Sequence, residues 1–234
     1  MTFTLSLRIA CSRILNRLGF ATLLVDPAGD DNSVLYTAKE AGAGGEAISI
    51  AYATPAVQAT TTVAVVGNAI TVTPGTKARM VVTGTLTSDG STPVVFPLLS
   101  YLEIYNTRAK YADTSGNYAC VWTGFGWALY DDVSGVGWDS SESVVTPDLV
   151  TSWSPSGAAT GTPIITAGVS SAAQVIAAVN ASTPAAALVT ASESGASTGP
   201  VAAVAADFLT LIPANALTLD GIVLTLDGET LTLD

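Results

Sequence analysis

The stretch Thr61-Thr62-Val63-Ala64-Val65-Val66-Gly67-Asn68-Ala69-Ile70-Thr71-Val72-Thr73 decides the fold class. Two runs rich in β-branched and small residues, over 61–66 and 69–73, flank a Gly-Asn pair, which reads as two strands joined by a tight turn. Working outward toward the N-terminus, residues 48–53 read as a strand, residues 39–46 as a Gly-rich bend, and residues 33–38 as another strand. Before them, Asp26-Pro27-Ala28-Gly29-Asp30-Asp31-Asn32 is a cluster of turn formers. The segment is a β-meander, and the expected class is mainly β with a minor α part.

The α part has two sources. Ser171-Ala172-Ala173-Gln174 carries the capping-box pattern, and Val175, Ile176 and Val179 follow it on one apolar face. Asn180 and Ser182 are expected to end that helix, Thr183-Pro184 to open a second short one, and residues 188–194 to form a strand. Residues 201–211 are apolar enough to be expected inside. At the other end, Leu7, Cys11, Ile14, Leu15 and Leu18 recur at helical spacing over residues 7–18. Arg8, Arg13 and Arg17 occupy the remaining surface, so the first seventeen residues hold three of the eight basic residues and no acid. Such a helix packs on its own domain or docks on an acidic neighbouring subunit.

Composition narrows the function. The net charge of −11 argues against general nucleic-acid binding, which draws its affinity from Lys and Arg on phosphates. His is absent, removing the commonest general base and nitrogen ligand. Cys11 and Cys120 are too few for a zinc site, and they lie far apart in segments of different character, so a disulfide between them is open but is the minor reading. No apolar run reaches the roughly 18 residues of a membrane span, and the three Arg residues interrupt any signal-peptide core. The expectation is a chain kept in the cytoplasm until it assembles, with no membrane partner.

Four segments together carry a resemblance: Val34-Leu35-Tyr36-Thr37-Ala38-Lys39, Gly42-Ala43-Gly44-Gly45-Glu46-Ala47-Ile48-Ser49-Ile50, Val66-Gly67-Asn68-Ala69-Ile70-Thr71-Val72, and Ser171 through the helical run to Ala181. The set resembles a small α/β module of structural proteins in tailed-phage virions, found in head- and tail-associated subunits alike. The resemblance covers roughly 90 residues in two pieces. In such modules the last strand leads almost directly into the helix, so an inserted domain is expected between them. The implied organisation is a basic arm with an amphipathic helix over 1–28 and a split α+β core over 29–78 and 164–212. An aromatic-rich antiparallel β domain is inserted over 79–163, and a β-repeat tail covers 213–234.

The resemblance implies a virion structural subunit, assembled in the host cytoplasm, with no catalytic residues, cofactor or metal. The leading expectation is a capsid decoration or cement protein; the alternatives are a tail tube, collar or fibre subunit and a host-attachment module that binds a receptor or glycan. Expected partners are other copies of the chain, with a trimer as the symmetric expectation, the major capsid protein or another virion structural protein, and a host surface receptor.

All four Trp residues fall in the insert, where strand-like runs over 79–87, 102–106, 118–123 and 127–130 are separated by hairpin signals. Trp122, Phe125, Trp127 and Trp138 therefore have two readings: an exposed recognition platform, or the core of a domain otherwise poor in large side chains. Asp131 to Asp139 clusters acids around glycines but does not fit the EF-hand spacing, and a solvated hairpin loop is the better reading. Glu103, Asp113 and Asp132 could serve a glycosidase only if two of them faced each other across a cleft.

At the C-terminus, Leu217-Thr218-Leu219-Asp220 recurs at Leu224 and at Leu231 with a period of seven. Asp220-Gly221 and Asp227-Gly228 read as turns. Strands this short are marginal alone, so the tail is expected to pair with the body of the protein or, by strand addition, with neighbouring subunits. Leu217, Leu224 and Leu231, with Arg8, Arg13 and Arg17, are the candidate assembly contacts.

Overall fold

The structure is a computed structural model that describes residues 19–211 and, beyond them, the backbone of residues 218–219, 222–223, 225–226 and 229–230. The helix over 7–18 with Arg8, Cys11, Arg13 and Arg17, and the contact residues Leu217, Leu224 and Leu231, lie outside the described residues. The chain is mainly β with a minor helical part, and it divides into two compact units.

The first unit draws on residues 1–54, 62–73 and 171–234. One four-stranded sheet has the order β14-β2-β1-β16, built from β1 (Phe20–Val25), β2 (Val34–Ala41), β14 (Val189–Glu193) and β16 (Thr210–Leu211). The second has the order β15-β3-β5-β4, from β3 (Ser49–Tyr52), β4 (Thr62–Val66), β5 (Ala69–Thr73) and β15 (Val204–Phe208). The hairpin expected around Gly67-Asn68 forms, with Val66 opposite Ala69. Both sheets feed one core, in which Val34, Tyr36 and Ala38 of β2 alternate inward and meet Ile50 and Tyr52 of β3 and Ile70 and Val72 of β5. The Tyr36 and Tyr52 hydroxyls hydrogen-bond each other at 2.8 Å inside this core, and burial pushes both phenols up.

Residues 20–25, read from sequence as part of the arm, form β1. The run Phe-Ala-Thr-Leu-Leu-Val does not alternate, but Ala21 and Val25 are buried and the strand pairs on both sides. The Gly-rich bend over 39–46 also differs. Here β2 runs on to Ala41, Gly42 takes the positive φ of 81°, and Ala43–Glu46 makes one helical turn, α1.

Helix α2 (Ala172–Ala181) has the full capping box: the Ser171 hydroxyl accepts from the Gln174 amide and the Gln174 side chain accepts from the Ser171 amide. Asn180 does not end the helix. Its side-chain amide instead donates to the Ala191 carbonyl and accepts from the Ala191 amide, tying α2 to β14. Pro184 sits in the first turn of α3 (Thr183–Leu188), where a missing amide costs nothing. The run over 201–211 is not buried as a whole. Only Val201 and Leu209 are inside, because β15 is an edge strand, and Phe208 is 56% exposed.

The second unit, residues 55–61 and 74–170, is one curled antiparallel sheet of eight strands in the order β12-β11-β10-β9-β8-β7-β6-β13. Its strands are β6 (Arg79–Thr83), β7 (Leu99–Tyr105), β8 (Arg108–Ala112), β9 (Tyr118–Trp122), β10 (Trp127–Asp131), β11 (Val136–Ser140), β12 (Ser154–Ser156) and β13 (Ile164–Gly168). The middle strands follow one another through short turns, and only β13 returns from far along the chain to pair with β6. Side chains directly opposite each other share a face, and the register lines up Tyr101, Tyr111, Cys120, Leu129, Trp138 and Pro155 as one row across the sheet. Tyr111, Cys120, Leu129 and Trp138 in that row have no exposed surface.

The four-residue connection from β9 to β10 is closed by the Thr123 amide donating to the Gly126 carbonyl. Gly126 is required there, since a Cβ would stand 1.7 Å from the Ser140 carbonyl oxygen.

At the C-terminus, β17 (Thr218–Leu219) pairs with β18 (Ile222–Val223) and β19 (Thr225–Leu226) with β20 (Glu229–Thr230). The backbone register sets Leu219 opposite Ile222 and Leu226 opposite Glu229.

Trp138→Ala is expected to cost about 3–5 kcal/mol in urea unfolding, the range for emptying a buried aromatic site. In a Cys11→Ser background, Cys120 is expected to stay unreactive toward an aromatic disulfide reagent at pH 8 until denaturant is added, since full burial pushes its thiol pKa upward.

Candidate functional site

Of the candidate recognition residues, Trp122, Trp127 and Trp138 are interior. The Trp127 indole donates to the Val144 carbonyl at 2.9 Å and that of Trp138 to the Gly161 carbonyl at 3.0 Å. Trp122 and Trp127 face each other across β9 and β10 with ring centroids 5.8 Å apart. An exposed platform of these three indoles is therefore ruled out by burial: their rings form part of the second unit's core. Phe125 alone is exposed, at 90%, at the tip of the β9–β10 connection. It rims a shallow cavity of about 410 Å³ shared with Asp139, Ser140 and Ser154.

The carboxylates serve local structure. Asp131 is buried rather than solvated, and it accepts from the Val133 and Ser134 amides to close the β10–β11 turn. Asp113 accepts from the Ser115 and Tyr118 amides, and hydrogen bonding, led by the Ser115 hydroxyl, holds its pKa below the usual range. Glu103 pairs with Lys110 at 3.4 Å. Among the described residues no group of acids, Cys or His could hold a metal ion, and no helix is long and apolar enough to cross a membrane.

The surface feature that stands out is the β7–β8 hairpin and the pocket beside it. Tyr105 lies opposite Arg108, and Asn106 and Thr107 between them have φ of 47° and 74°. Two successive positive φ values make the tight turn that suits hairpin twist. Asn tolerates that conformation, whereas a β-branched Thr is strained in it. The Asn106 side chain donates to the Trp122 carbonyl at 3.2 Å and anchors the turn.

On the far edge of β7, pairing with β6 covers only Leu99 and Ser100, followed by one bond from the Tyr101 amide to the Ala78 carbonyl. Among the described residues no strand covers that edge from Leu102 to Tyr105. Leu102 is 58% and Ile104 62% exposed there. An uncovered edge bearing apolar side chains is a template for an added strand.

Ile104 also forms one wall of a pocket of about 490 Å³, lined by Val57, Ala59, Val145 and Leu149 with Lys77 and Arg108. The Lys77 ammonium pairs with Asp148, whose second oxygen is buried without a partner. The Lys77 carbonyl accepts from the Tyr111 hydroxyl at 2.9 Å. The Arg108 guanidinium lies 3.5 Å over the Trp122 ring, donates to the Val144 carbonyl, and donates to the Ser143 hydroxyl at 3.0 Å. No carboxylate among the described residues pairs with it.

The arrangement offers apolar burial, open backbone groups and positive charge. Sequence reading located β7 but missed the site, because nothing in Leu102-Glu103-Ile104 announces that β6 stops short. The weak clue is an apolar pair in a run that alternates with charge.

No family model matches the chain, and no curated protein or solved structure matches it either.

Lys77→Met is expected to lower unfolding stability by about 1–3 kcal/mol, since it leaves the Asp148 carboxylate with no cation. Adding Asp148→Leu is expected to recover most of that loss in the same urea titration, because an apolar pair replaces a costly buried ion pair.

Proposed function

We propose that this chain is a non-enzymatic structural subunit of a tailed-phage particle, a decoration or cement protein that binds the shell. The observation that carries the reading is where the resembling segments go. β2, the α1–β3 stretch and β5 lie within residues 34–73 and α2 begins at Ala172, with the 74–170 stretch between, yet they share one core in the first unit. That is the behaviour of a module interrupted by an insertion. The second unit is then the inserted domain, displayed outward from the shell.

Other features agree with this role. A net charge of −11 keeps a densely repeated surface soluble. The basic arm with Arg8, Arg13 and Arg17 supplies a contact of opposite sign for an acidic neighbour, and the Leu-Thr-Leu-Asp tail supplies two-stranded ribbons, marginal alone, whose outer edges can pair further. The major capsid protein is the proposed binding partner, with further copies of the chain alongside. A second reading, attachment to a host receptor or glycan, is favoured by one observation: Phe125 stands exposed at a loop tip beside a cavity.

Quantitative mass spectrometry of purified particles tests the assignment. A copy number comparable to that of the major capsid protein is expected. A number far below it sinks decoration and moves the chain to the neck, tail tip or fibres. Phe125→Ala particles are expected to assemble and adsorb normally; loss of adsorption alone favours the receptor reading.

A further inference from the structure

The β7–β8 hairpin offers an uncovered edge and an apolar pocket, and the chain itself contains a segment of matching chemistry. We propose that the open edge of β7 receives a Leu-Thr-Leu-Asp unit from the tail of a second copy, whose leucines fill the pocket beside Ile104. This rests on reading the tail as an assembly segment, and it does not depend on which particle the chain belongs to.

Three observations carry it. The first is backbone geometry, since the edge from Leu102 to Tyr105 lacks a strand on one side among the described residues. A strand laid there gains main-chain hydrogen bonds, and its alternate side chains point to opposite faces.

The second is parity. In each tail unit the two leucines are two residues apart, so they share one face of an extended strand, while Thr and Asp take the other. Ile104 stands on the pocket face of the hairpin. Glu103, Tyr105 and Lys110 stand together, with Lys110 paired to Glu103 and set 5.7 Å over the Tyr105 ring. A tail strand with its leucines toward Ile104 turns its Asp toward the side of Lys110.

The third is charge. Residues 212–234 contain four acids and no base. Beyond residue 17 this acidic chain has only five basic residues, and three of them, Lys77, Arg108 and Lys110, belong to the hairpin or the pocket wall; Asp148 and Glu103 pair with the two lysines, and the Arg108 guanidinium is the cation there that no carboxylate pairs with among the described residues. An acidic, leucine-bearing strand therefore suits this surface better than a basic one.

The test uses the full-length chain and a dye-labelled peptide of residues 228–234. The chain is expected to self-associate as its concentration rises in sedimentation equilibrium, and to bind the peptide. Ile104→Arg, at an exposed position, is expected to weaken both by at least about tenfold while the melting temperature stays unchanged. Replacing the leucines at 217, 219, 224, 226, 231 and 233 by serine is expected to leave the chain monomeric but still able to bind the wild-type peptide.

Three results would overturn the proposal. Self-association that survives the serine variant means that the hairpins pair with one another. Peptide binding seen only in a monomeric serine variant, with no association of the wild type, means that each tail occupies its own chain's groove. Absence of peptide binding to either protein removes the site. Absence of the chain from purified particles counts against the virion role alone.

Discussion

A single transverse row of side chains, running from Tyr101 through Tyr111, Cys120, Leu129 and Trp138 to Pro155, holds the second unit together. The chain is rich in Ala, Gly, Ser, Thr and Val, whose side chains cannot fill the space inside a strongly curled sheet. Tyr111, Cys120, Leu129 and Trp138 of the row do so, each directly opposite the next, and the neighbouring pair Trp122 and Trp127 extends the filled volume toward the β9–β10 connection. Register, curl and core are thus one constraint. A slip of one residue in any strand would carry its row member to the opposite face.

That constraint explains what could be read in the sequence. Strands with β-branched runs between turn formers, such as 62–66 and 69–73, announced themselves, and so did the capped helix after Ser171. The aromatic residues of 118–138 carried both of their readings until burial decided for three indoles and left Phe125 outside. What stayed hidden depends on distant partners. β13 is defined by pairing with β6 some eighty residues earlier, and β1 by strands on both sides rather than by alternation. Asp131 looked like loop charge because its amide partners are specified by turn geometry, not by spacing.

The candidate site was illegible for a related reason. It arises where one strand is longer than its neighbour, so the site is a missing pairing, and composition does not record absences. Leu102 and Ile104 would pass for ordinary inward residues of a strand. It is the end of β6 pairing at Ser100 that leaves them uncovered at an edge. Arg108 shows the same dependence: its guanidinium is shaped by the Trp122 face and the Val144 carbonyl, each contributed by a different strand or loop.

The buried hydroxyl pair of Tyr36 and Tyr52 has a mechanical meaning for the first unit. It joins β2 of one sheet to β3 of the other through a directional bond of 2.8 Å, in a core whose other contacts are hydrocarbon. Hydrocarbon surfaces slide over one another with little change in energy, but a hydrogen bond weakens steeply once its angle and length are lost, and both of these tyrosines are buried from solvent. The two sheets are therefore doweled at one point. Shear between them must break that bond before it can shift the packing, which makes the unit stiff in the direction where sandwiched sheets are otherwise soft.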